Sequence, residues 1–82
     1  MQNKDQTNKE LTLILLYLNS WHEKHLDDDT KRSWKGYDFN ILDALSEENF
    51  IYSSKKAKSV YLNKQGIQKA EELLEKYGIG PA

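Results

Sequence analysis

Eighty-two residues with no cysteine leave room for one hydrophobic core and exclude disulfide staples and thiolate metal sites. A formal charge of −1 and 38% apolar residues set the chain apart both from strongly basic nucleic-acid binders and from disordered segments. The longest apolar run, Leu13 to Leu18, falls well short of the roughly 20 residues a bilayer span needs, and Met1–Asp5 lacks the charged-then-apolar order of a signal peptide. One cytoplasmic domain over residues 1–82 is the expectation.

Thr7-Asn8-Lys9-Glu10 reads as a capping box, with a helix following to about Lys24. Leu11, Ile14, Leu15 and Leu18 form one apolar face of that helix, and Leu13, Leu16, Tyr17 and Trp21 form a second beside it. A helix apolar nearly all round must be covered from more than one side. The second face is therefore read as a homodimer interface.

Residues 22–35 are polar and read as a loop with at most one helical turn. Asp38 is the N-cap expected for a helix over Phe39–Glu48, with Phe39, Ile41, Leu42 and Leu45 turned inward and Tyr37 stapled onto Leu42. Asn49 suits a left-handed helix end. Phe50-Ile51-Tyr52 and Val60-Tyr61-Leu62 alternate as the strands of a hairpin across residues 53–59. Asn63 caps a last helix with the stripe Ile67, Ala70, Leu73, Leu74 and Tyr77, which Gly78 ends.

Charge is uneven along the chain. Acids outnumber bases in residues 1–30, whereas residues 31–64 are dominated by Lys31, Arg32, Lys35, Lys55, Lys56, Lys58 and Lys64. Such asymmetry suits an anionic partner on one side of the domain. His22, His25 and Asp27–Asp29 do not form the helical H-E-x-x-H zinc signature, and Arg32 stands where an EF-hand loop needs glycine. Neither a nucleophile elbow nor a phosphate-binding loop is present, so no enzyme, metal, cofactor or small-molecule ligand is expected.

Ile41-Leu42-Asp43-Ala44-Leu45, Asn49-Phe50-Ile51 and Val60-Tyr61-Leu62-Asn63-Lys64-Gln65-Gly66 together resemble the closing half of small bacterial winged-helix regulators, over roughly residues 37–77. Asn49 takes the place of that pattern's glycine, and Asn63 that of its threonine cap. Arg32–Asp38 is also similar to a segment of a family of small bacterial proteins, a likeness that brings no function with it. The winged-helix resemblance implies a small winged-helix-like α+β domain: a long helix, a loop, a short helix, a two-stranded hairpin and a C-terminal helix. It implies binding to double-stranded DNA, with Phe39–Glu48 in the recognition position.

The exposed side of that helix, Asn40, Asp43, Ala44 and Glu47, is too acidic to approach phosphates. The expected contacts are therefore Lys55, Lys56 and Lys58 on the wing, joined by Lys31, Arg32 and Lys35. Trp34 and Tyr37 are of the type that stacks on bases in single-strand binders, but packing of the loop against the core is the expected role. The alternative is an interaction module on the same scaffold, held to itself or another protein through Leu13, Leu16, Tyr17 and Trp21.

Overall fold

The computed structural model describes residues 4–22, 30–53 and 58–80. Six elements follow in order: α1 (Lys4–Leu18), β1 (Lys31–Trp34), α2 (Phe39–Glu47), β2 (Ile51–Ser53), β3 (Ser59–Leu62) and α3 (Lys64–Lys76). The fold is α+β, with a three-stranded antiparallel sheet in the order β1-β3-β2.

Three local expectations need correcting. The first helix stops at Leu18 rather than running to Lys24; the Asn19 side chain bonds back to the Leu15 carbonyl at 2.9 Å, and Ser20 Oγ to the Tyr17 carbonyl at 2.6 Å. It also begins at Lys4, ahead of Thr7, so Thr7–Glu10 lies inside the helix and the Glu10 carboxylate is engaged elsewhere. Lys31–Trp34 is a strand, which turns the expected two-stranded hairpin into a three-stranded sheet.

The other termini behave as local chemistry dictates. Asp38 caps α2 by accepting from the Asn40 amide at 2.8 Å, and Asn63 caps α3 by accepting from the Gly66 amide at 2.8 Å. Asn49 adopts φ 65° after α2, and Gly78 φ 68° after α3, each in the left-handed region that ends a helix. Asn63 also donates from Nδ2 to the Asn49 carbonyl at 2.6 Å, so one side chain ties the end of α2 to the start of α3.

The core lies between the helices and one face of the sheet. Leu13, Ile14 and Leu16 of α1 meet Leu42 and Leu45 of α2, Ile51, Val60 and Leu62 of the strands, and Ala70, Leu73 and Leu74 of α3. Tyr37, Ile41, Phe50, Ile67 and Tyr77 close its margins. Phe39 is a further correction: it stands at the outer start of α2, 71% exposed, instead of packing inward.

α1 and α3 are locked together by Glu10. Its carboxylate, 7% exposed, accepts from Lys76 Nζ at 2.8 and 3.1 Å, from the Tyr77 hydroxyl at 2.5 Å and from Gln6 Nε2 at 3.1 Å. The bonds from Lys76 and Tyr77 hold its pKa at about 2 against an ordinary 4.5, outweighing the opposing effect of burial. The same ion pair raises Lys76 above its usual value.

Candidate nucleic-acid interface

Residues paired across an antiparallel ladder share a face, and faces alternate along each strand. Lys31, Leu62 and Ile51 form one row, and Ser33, Val60 and Ser53 another; both rows face the helices. Between them, Arg32, Tyr61 and Tyr52 form a row on the opposite face, followed by Trp34 with Ser59.

That opposite face is an aromatic surface with a guanidinium set into it. Trp21 pairs with Arg32 through two backbone hydrogen bonds of 2.8 and 2.9 Å, which brings its ring to 5.1 Å from that of Trp34. Arg32 lies 5.4 Å over the Tyr61 ring and donates from Nε to Ser59 Oγ at 2.6 Å. Tyr61 stands 6.5 Å from Tyr52. Trp34 is 62% exposed and Tyr52 67%, so Trp34 does not pack against the core as its sequence context suggested. No aspartate or glutamate occurs on any of the three strands.

The expected basic residues divide. The Lys35 amide bonds to the Lys58 carbonyl at 2.9 Å, extending the β1–β3 pairing by one position, and Lys35 Nζ lies 5.9 Å from the Phe39 ring. Lys58 is exposed. Because Arg32 leans toward Ser59, its guanidinium points along the ladder to this same end. Lys31, by contrast, turns to the helix side, its Nζ 5.0 Å over the Tyr17 ring. Lys55 and Lys56 lie outside the described residues.

The expected interface on α1 does not form as drawn. Leu13 and Leu16, at 1% and 0% exposure, are spent in the core and have no surface left for a partner. Tyr17 is half-buried and donates to Glu71 Oε2 at 3.2 Å; burial, then the Glu71 charge, pushes its phenol above the usual value. Trp21 belongs to the sheet. The leucines that α1 does leave exposed are Leu11, Leu15 and Leu18, spaced by four and then three residues along one side.

α2 likewise has no helix packed immediately before it. Only Lys35–Asp38 separate it from β1. Its Asn40, Asp43 and Glu47 are exposed, and Glu48, just beyond it, pairs with Lys9 at 2.9 Å.

Residues 4–80 match the family described as Domain of unknown function (DUF6429). The chain belongs to that family. Comparison with curated proteins and with solved structures gave no match.

The match runs across all three described stretches, so the aromatic sheet face is part of the DUF6429 domain and not an appendage to it. Among the described residues, no group of three or more His, Asp or Glu side chains is placed to hold a metal ion, and no helix is long and apolar enough to cross a membrane. What the face offers chemically is flat π-surface and one positioned guanidinium; Lys35 and Lys58 pair one position past its end, on the helix-facing side of the alternation.

Proposed function

We propose that this DUF6429 domain is a small, non-enzymatic nucleic-acid-binding module on a winged-helix-like scaffold, contacting phosphates at the β1–β3 end of its sheet. Support for the scaffold comes from the order of elements: a strand after the first helix, then a helix, a hairpin and a closing helix, with β3 central. The observation that carries the binding is the placement of Arg32, Lys35 and Lys58 within a few ladder positions at one end of a sheet without carboxylates, Arg32 on the outer face and the Lys35–Lys58 pair one position beyond Trp34–Ser59. Cationic groups gathered in this way suit a phosphate backbone, which supplies most sequence-independent affinity. The acidic outer side of α2 disfavours the major-groove insertion that a recognition helix requires.

Fluorescence anisotropy with labelled mixed-sequence DNA tests this reading. Three phosphate contacts on duplex cost roughly fortyfold in affinity between about 50 and about 200 mM salt. The pair Lys35→Glu and Lys58→Glu should abolish binding while leaving the circular dichroism spectrum unchanged; unaltered affinity refutes the assignment.

A second reading rests on a separate observation, the exposed stripe Leu11, Leu15 and Leu18 on α1. An apolar stripe at helical spacing suits self-association, so the module would act as a homodimer or as a protein-interaction module.

A further inference from the structure

The aromatic face is of a different kind from its basic end. A phosphate-binding surface needs cations and hydrogen-bond donors; it has no use for Trp34 and Tyr52 with more than three-fifths of their surface in water. Cross-strand aromatic pairs do stabilise a sheet, by about 0.2–1 kcal/mol each, but they do so by covering one another. Here the outer rings of each pair stay open: Trp34 beyond Trp21, and Tyr52 beyond Tyr61.

We infer that this face is a stacking platform for unpaired bases, and that the ligand of the module is a single strand of nucleic acid in preference to a duplex. The inference rests on the phosphate-binding reading above and names its substrate class. In a duplex the bases present only their edges, and their faces are occupied by one another; flat protein rings reach base faces only in an unpaired strand. Charge agrees with shape. The strands carry no acid, and Arg32, itself stacked on Tyr61, sits among the rings with its guanidinium directed toward Ser59, one ladder position from the exposed Lys58. Stacking of this kind is tolerant of sequence, because every base has a π-face.

The only tryptophans in the chain are Trp21 and Trp34, 5.1 Å apart on this face, so the protein's own fluorescence reports on the site. Titrating the full chain with oligo-dT at about 50 mM salt should quench tryptophan emission, and a hairpin duplex of the same length should bind at least tenfold more weakly. Trp34→Ala and Tyr52→Ala should each weaken oligo-dT binding by about tenfold or more, while leaving the salt dependence unchanged. Both side chains are exposed, and unchanged thermal melting would show that the variants fold. Trp34→Phe, which keeps a ring, should recover most of the affinity.

Equal or tighter binding to the duplex, with both alanine variants neutral, overturns the inference and leaves the phosphate-binding reading standing. Absence of binding to either form at low salt overturns both. A dimer in light scattering that Tyr52→Glu dissociates, with no response to oligo-dT, would give the face to a second copy of the chain and also overturns it.

Discussion

The Tyr77 hydroxyl donates to the buried Glu10 carboxylate at 2.5 Å, joining the end of α3 to the first half of α1. Lys76, half-exposed, bonds to the same carboxylate from the rim. A buried carboxylate persists only where such donors offset its desolvation, and here they hold it ionised far into the acid range.

Glu10→Gln removes the charge but keeps the shape. Loss of the charge-assisted bonds is expected to cost about 1–3 kcal/mol, read as a lower denaturation midpoint in urea with an unchanged slope. The pH dependence follows from the direction of the shift. A carboxyl depressed from 4.5 to about 2 contributes stability that is complete above pH 4.5 and disappears as pH falls toward about 2. Thermal melts between pH 6 and pH 2 should therefore fall more steeply for the native sequence than for Glu10→Gln. Parallel curves would show that Glu10 is not the group responsible.

Gly66 is required by proximity. A Cβ built there would meet the Phe50 carbonyl oxygen at 1.9 Å, and because that atom is backbone it has no side-chain freedom with which to move aside. Alanine gains up to about 1 kcal/mol in helix propensity over glycine. Overpacking of this severity costs at least the upper part of the usual range of about 1–3 kcal/mol. Gly66→Ala should therefore destabilise the domain in chemical denaturation, and a stabilised variant would contradict the close approach.

Asn63 makes two connections, to the Gly66 amide and to the Asn49 carbonyl. Asn63→Asp keeps the cap but loses the donor; Asn63→Ala loses both. The expected ranking of stability is Asn, then Asp, then Ala, with alanine lower than the native sequence by about 1–2 kcal/mol.

Neighbouring leucines on α1 should separate sharply. Leu16→Ala leaves a cavity and should cost about 2–5 kcal/mol, whereas Leu15→Ala should stay within about 0.5 kcal/mol of the native sequence. If Leu11, Leu15 and Leu18 hold two copies together, Leu15→Glu converts a dimer to a monomer in light scattering. A native chain that is monomeric at high concentration removes the self-association reading.

Much of this was legible in the residues themselves. Asp38, Asn49, Asn63 and Gly78 mark helix ends by chemistry that operates within a few residues, and the buried Ile51 and Leu62 alternate with the exposed Tyr52 and half-buried Tyr61. β1 escaped because its inward residues are Lys31 and Ser33, polar groups where apolar ones would have signalled a strand, while the large residues Arg32 and Trp34 point outward. The aromatic platform was hidden for the same reason: Trp21, Arg32, Tyr61 and Tyr52 are scattered along the chain, and only the register of the missing strand aligns them. On α1, both apolar faces look alike in sequence. Which one is buried depends on where α3 docks, and Glu10 fixes that through a contact spanning 67 positions.

The central place of β3 also sets an order of assembly. Among the described residues β3 is the strand partner of both β1 and β2, and Glu10 is without its Lys76 and Tyr77 donors until the end of α3 is made. During synthesis Leu13 and Leu16 of α1 can meet Leu42 and Leu45 of α2 early, but the sheet and the α3 side of the core wait for residues 59–76. A chain cut short before Ser59 would lack the strand that holds β1 and β2 in one sheet.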